Sequence, residues 1–261
     1  MAGSYLFEVT VQLHYTVDGP EDGPVLVLGS PLGTTGAVWQ PQVAVLSERF
    51  RVVRYDHRGH GASPVPQGPY ALADLGQDVL ALLDRLDAPR VHLGGISLGG
   101  IVAIWVAAHA PERIDRLMLM CTAARLSPPE MWTERAAAVR SDGMSAITET
   151  VLGRWFTPEF AKEHPAVVGW VRRMLATSPA EGYAACCEAL GTMDLTPVLS
   201  QISAPTLVIA ADQDPSTPLP LVEHIASKVP NARLEVVPDA AHLVIVEQPA
   251  KVNRLLLDFL A

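Results

Sequence analysis

The chain has 261 residues, 49% of them hydrophobic, with 22 prolines and 19 glycines scattered between apolar runs, so it is expected to fold throughout. A formal charge of −9 with dispersed Lys and Arg excludes a nucleic-acid surface, and an anionic substrate would need a local cation in its pocket. The odd trio Cys121, Cys186 and Cys187, two of them adjacent, excludes a secreted disulfide framework and reads as buried thiols.

Residues 1–20 carry Glu8, His14 and Asp18 in an alternating pattern, with no basic segment followed by an apolar one. The longest apolar stretch, Ile101 to Ala108, is far short of the roughly 20 residues that span a bilayer. A cytoplasmic protein without a membrane partner is the expectation.

In chain order, β-like runs stand at Val9–Val17, Val25–Leu28, Phe50–Tyr55, Val91–Gly94, Leu117–Met120, Thr206–Ala210 and Leu234–Val237. Several are continuously apolar, as strands covered on both faces are. Helical patterns fall between them at Leu72–Leu86, Leu98–Ala110, Leu219–Val229 and Ala250–Leu260. The alternation predicts an α/β fold with a mostly parallel central sheet flanked by helices. It breaks between about Ala123 and Gln201, where Pro128-Pro129, Gly143, Pro158 and Pro179 divide a helical stretch. The expected organisation is therefore a core made of residues 1–122 and 202–261 with a helical cap inserted at 123–201.

Within Val91–Gly100, Gly95-Ile96-Ser97-Leu98-Gly99 has the form G-x-S-x-G at a junction of strand and helix. A sharp turn there lifts a serine hydroxyl above the sheet, and the flanking glycines relieve crowding. The bland alternative is a tight turn whose serine only caps the helix. A helix beginning at Leu98 also offers that residue's free backbone N–H to an oxyanion.

Serine is a weak nucleophile near neutral pH and needs a base. With the chain order Ser, Asp, His, the base must follow the last core strand, where His242 stands in Pro238-Asp239-Ala240-Ala241-His242. His57 and His60, in the turn Asp56-His57-Arg58-Gly59-His60-Gly61, read as structural. The acid should follow Thr206–Ala210, and both Asp212 and Asp214 qualify, one of them an ordinary turn aspartate.

Longer stretches carry more information than the bare motif. Phe50-Arg51-Val52-Val53-Arg54-Tyr55-Asp56-His57-Arg58-Gly59-His60-Gly61-Ala62-Ser63, Gly68-Pro69-Tyr70, Arg154-Trp155-Phe156-Thr157-Pro158, Glu181-Gly182-Tyr183-Ala184-Ala185-Cys186-Cys187, and Ala241-His242 followed by Glu247-Gln248-Pro249 all belong to one pattern. Over essentially its whole length the chain resembles the 3-oxoadipate enol-lactonases of bacterial aromatic catabolism, members of the α/β-hydrolase superfamily. The resemblance implies an α/β-hydrolase fold, a triad of Ser97, Asp214 and His242, and an acid at Asp214 because it precedes Pro215. It implies hydrolysis of a five-membered enol lactone bearing a carboxylate arm, in the β-ketoadipate pathway, with no metal and no organic cofactor.

The arm would need a cation, for which Arg125 and Arg154 are candidates, with Trp132 and Trp155 as pocket walls. A cap arginine is otherwise a solvated or inter-helix contact, and Trp155 and Phe156 otherwise pack the cap on the core. In the loop Leu28-Gly29-Ser30-Pro31-Leu32-Gly33-Thr34-Thr35, related lactonases place a serine at Pro31, and proline has no N–H to serve as the second oxyanion donor. Losing such a donor can cost about 10²–10³ in turnover. Leu32 or the Ser30 side chain would substitute, or the enzyme is slow or runs altered chemistry.

A general carboxylesterase or cofactor-free perhydrolase would use the same triad. A non-catalytic binding protein on a hydrolase scaffold is the alternative from another class. The partner is in either case a small anionic lactone or ester, with homo-oligomerisation left open.

Overall fold

In the computed structural model, described for residues 10–126 and 128–261, the chain alternates strands and helices as its apolar runs predict. The order is β1 (Tyr15–Asp18), β2 (Val25–Gly29), α1 (Gln40–Leu46), β3 (Arg51–Tyr55), α2 (Leu72–Arg85), β4 (Val91–Ile96), α3 (Leu98–His109) and β5 (Ile114–Met120). Five helices follow, α4 (Pro129–Asp142), α5 (Thr148–Trp155), α6 (Pro158–Glu163), α7 (Pro165–Ala176) and α8 (Ala180–Thr192). The chain closes with β6 (Thr206–Ala211), α9 (Leu219–Lys228), β7 (Ala232–Val237), α10 (Val244–Glu247) and α11 (Pro249–Leu260). Among the described residues no helix is long and apolar enough to cross a membrane.

The seven strands form one sheet in the order β1-β3-β2-β4-β5-β6-β7, parallel except for the antiparallel edge strand β1. The first run was expected from Val9 to Val17; Val9 lies outside the described residues, and strand structure begins only at Tyr15. The intervening backbone is held instead by Asp78, whose Oδ1 accepts the Val11 N–H at 2.8 Å. Asp78 is itself paired with Arg58 at 2.6 Å, a buried ion pair that anchors the edge of the sheet to α2.

Every residue of β4 and of β6 is buried, which explains their unbroken apolar character. Helix α3 packs on them and is buried almost all round, from Leu98 to Ala107. Each large aliphatic side chain so covered stabilises the fold by roughly 1.5–3 kcal/mol. In α2, by contrast, Leu75, Val79, Leu82 and Leu83 recur at helical spacing and bury one face.

The chain runs from β2 outward to β3 and then back across β2 to β4, so the direction of winding reverses there. In open parallel sheets such a reversal leaves a crevice beyond the carboxyl ends of the two central strands. The loops after β2 and β4, with Ser30–Leu32 and Ser97, lie there. The prolines and glycine of the long helical stretch act as punctuation: α4 starts at Pro129 and stops at Gly143, α6 starts at Pro158, and α8 follows Pro179.

Candidate active site

Ser97 sits between β4 and α3 with φ 55° and ψ −119°, a backbone conformation rare for a residue with a side chain. The turn closes because its flanking glycines lack side chains. A Cβ on Gly95 would lie 2.2 Å from the Gly99 carbonyl carbon, and one on Gly99 would lie 2.2 Å from that of Gly29. Ser97 is only partly covered, in contrast to the buried strand behind it. The fold therefore holds its hydroxyl in a fixed, accessible place.

His242 follows β7, and Asp214 follows β6. The two meet through His242 Nδ1 and Asp214 Oδ2 at 2.8 Å, with His242 2% and Asp214 5% exposed. Asp214 also accepts the Ser216 and Thr217 N–H groups on Oδ1, at 2.7 and 3.1 Å, and the Thr217 hydroxyl on Oδ2 at 2.6 Å. Burial pushes its carboxyl up, but the His242 ring and these donors outweigh it and hold it down at about 2. Asp212 is exposed and, among the described residues, accepts only the Ala240 N–H, at 3.4 Å, as a turn aspartate. The choice between the two acids left open by strand order is thus made by contact with His242.

Ser97 and His242 line one small cavity. Its floor includes Leu32 and Thr217; Trp132, Arg135, Trp155 and Tyr183 of the helical stretch roof it. It adjoins a wider outer vestibule, with Trp132, Arg135 and Trp155 shared between the two and Arg154 found only in the outer one.

The loop beside Ser97 is braced from below. The Ser30 carbonyl accepts the Gly99 N–H at 3.0 Å and lies 3.0 Å from His57 Nε2. The Gly33 N–H donates to His60 Nε2 at 2.8 Å, which makes that nitrogen an acceptor and leaves His60 Nδ1–H for the Arg58 carbonyl at 3.1 Å. Burial, with His60 next to it, pushes His57 down to about 3, and burial lowers His60 as well. Both rings are therefore neutral braces, in keeping with a structural role for that turn. Asp56 completes the scaffold by accepting the Gly36 N–H at 2.8 Å and the Ala62 N–H at 3.0 Å.

Among the described residues, neither the Ser30 nor the Leu32 N–H has a backbone acceptor, nor does that of Leu98 at the start of α3. The Ser30 hydroxyl is already committed to the Thr35 carbonyl at 3.1 Å, so this side chain is not the free donor that Pro31 called for.

The expected substrate residues divide. Trp132 lies in the cavity wall and Arg154 at its entrance. Arg125 does not line either space; its side chain is 62% exposed and pairs with Asp194 at 3.7 Å, where a two-residue bridge ties the ends of the helical stretch together. The sequence reading passed over Arg135, which stands one helical turn beyond Trp132 on α4 and so shares its face. Glu247, named there only as part of the Glu247-Gln248-Pro249 stretch and given no role, accepts the Thr157 N–H and hydroxyl on Oε1 at 2.8 and 2.9 Å and the Ala241 N–H on Oε2. The periodicity of α4 could have exposed the first; nothing local marks the role of the second.

Residues 24–249 match the family model described as alpha/beta hydrolase fold. The chain is 42% identical to 3-oxoadipate enol-lactonase 2 of Acinetobacter baylyi, over 93% of this chain and 91% of the relative. It is 38% identical to 3-oxoadipate enol-lactonase 1 of the same organism, over 92% and 89%. Its structure superimposes on the crystal structure of the enol-lactonase from Burkholderia xenovorans LB400 with a TM-score of 0.94, at 39% identity and 96% coverage of both chains. The parallel sheet, the family match and this near full-length similarity place the chain in the enol-lactonase family of α/β hydrolases, as a hydrolase acting on ester or lactone bonds.

Proposed function

We propose that the protein opens a small carboxylate-bearing enol lactone of the 3-oxoadipate type, through an acyl-enzyme on Ser97. The observation that carries this reading is the Asp214–His242 pair at 2.8 Å in the wall of the cavity that also holds Ser97. Asp214 keeps Nδ1 protonated, which leaves Nε2 as the base. Ser97 Oγ attacks the lactone carbonyl as its proton passes to Nε2. The Leu98 N–H and the Leu32 N–H would receive the oxyanion, Leu32 lining the same cavity as Ser97 and having no backbone acceptor among the described residues. Ser30, on the same loop, is fully buried and lines neither space.

The ring C–O bond then breaks and the ring oxygen takes the proton from His242 to leave as an enol, which relaxes to the ketone. An enol leaves more readily than an alcohol, so the acid is asked for little. Water deprotonated by His242 attacks the acyl ester, yielding the carboxylate and free Ser97. The product is a 3-oxo dicarboxylate, consistent with a place in aromatic catabolism.

The test follows the loss of the enol lactone's ultraviolet absorbance. Wild type consumes the lactone, and Ser97→Ala loses about 10³-fold or more in kcat. Hydrolysis of p-nitrophenyl acetate with no turnover of the lactone would instead make the protein a general esterase.

A further inference from the structure

Eight of the chain's 16 arginines pair with carboxylates among the described residues, and Arg135 is not one of them. Arg54, Arg58, Arg90, Arg113, Arg125, Arg140, Arg172 and Arg233 each lie within 4.0 Å of a carboxylate. Arg135 is half-buried in the wall of the cavity containing Ser97 and His242, and among the described residues no carboxylate reaches it. Its guanidinium is packed over the Trp132 ring, 4.9 Å from the centroid. That stacking holds the cation in place without consuming its N–H donors.

A second, independent observation stands in the same wall. Trp132 is 8% exposed, and its indole Nε1–H is buried with no acceptor. A buried unpaired donor costs free energy, and a cation without a counter-charge does so too. Both groups stand three residues apart on one face of α4, where a single anionic acceptor would answer both deficits. The neighbouring Tyr183 phenol is pushed up by burial, with Arg135 pulling the other way, so it stays a neutral hydroxyl; its hydrogen bond with the guanidinium engages part of that donor fork and orients the rest.

We propose that Arg135 and the Trp132 indole N–H form the subsite that takes the substrate's free carboxylate, and so make the enzyme selective for lactones and esters carrying an anionic arm. This rests on the lactonase reading for the identity of the substrate, but not for the existence of the subsite. Arg154, confined to the vestibule, is an entrance charge, and Arg125 is occupied by Asp194.

The experiment compares wild type, Arg135→Gln, Arg135→Lys, Trp132→Phe and Arg154→Gln. Substrates are the free-acid enol lactone, its methyl ester and p-nitrophenyl acetate, and adipate serves as a competitive inhibitor of the last. In Arg135→Gln, kcat/KM for the free acid falls about 10–100-fold further than for the two neutral substrates, mainly through KM, as loss of a charge-assisted hydrogen bond entails. Arg135→Lys recovers part of this, Trp132→Phe loses less, and Arg154→Gln separates anionic from neutral substrates by under about threefold.

Equal losses on charged and neutral substrates in Arg135→Gln would reduce Arg135 to a structural role and overturn the proposal. Adipate inhibition provides an arm independent of lactone turnover. If wild type ignores the lactone but binds adipate, and Arg135→Gln loses that binding about tenfold or more, the subsite stands and the lactone assignment falls. If wild type opens the lactone and Arg135→Gln keeps both its KM and its adipate affinity, the subsite falls and the lactone assignment stands.

Discussion

Glu247 accepts the backbone N–H of Ala241 at 2.5 Å, and so fixes the residue that immediately precedes His242. On the other side of the histidine, the Leu243 N–H donates to the Trp155 carbonyl at 3.0 Å. Since Glu247 also binds Thr157, the loop carrying the base is tied at two points to the junction of α5 and α6. The position of the helical roof and the position of His242 are thereby one structural variable.

Glu247→Gln replaces one acceptor oxygen by an amide NH₂, so at least one of the Thr157 and Ala241 N–H groups loses its partner. The expected cost is about 1–3 kcal/mol of stability, with kcat reduced about tenfold and KM little changed. Chemical denaturation and steady-state kinetics check this. A variant as stable and as active as wild type would show that the clamp is dispensable.

The buried histidines set a pH dependence of stability. His57, at about 3, and His60, also lowered, both titrate below the value near 6.5 of an unfolded chain. The unfolded state therefore takes up these protons first as pH falls. Their contribution is complete above about 6.5 and declines below it, by up to about 1.4 kcal/mol per pH unit for each ring. Urea unfolding at about pH 7 and about pH 5 should show this decline, and His57→Gln should flatten the slope by close to one proton. An unchanged slope in the variant would count against a neutral buried His57.

Pro31 removes one N–H from the loop beside Ser97, yet the amides on either side, Ser30 and Leu32, are unengaged among the described residues. Restoring an N–H by Pro31→Ser should therefore change turnover by less than about threefold, against the 10²–10³ that loss of a true oxyanion donor costs. A gain of an order of magnitude or more would instead identify position 31 as the donor site.

Burial pushes all three thiols up, Cys187 to about 12, and leaves each of them covered. Iodoacetamide should modify the native protein at least about 10²-fold more slowly than a free thiol at the same pH, and modify all three after unfolding. Rapid labelling of Cys186 or Cys187 in the native state would reveal an opening of α8 away from the core.

By itself the sequence determined the layered α/β fold and singled out Ser97 and His242. Strand and helix periods, and the glycines around Ser97, are local properties written in neighbouring residues. Strand order also limited the acid to two aspartates. Only the tertiary structure decided that Asp214 and not Asp212 meets His242, that Arg125 is spent on Asp194, and that Arg135 reaches the cavity. It likewise decided that Glu247 holds Thr157, a residue 90 positions away, together with the His242 loop. These are relations between side chains distant along the chain. Their distances follow from how helices and loops pack over the sheet, which no local pattern of residues encodes.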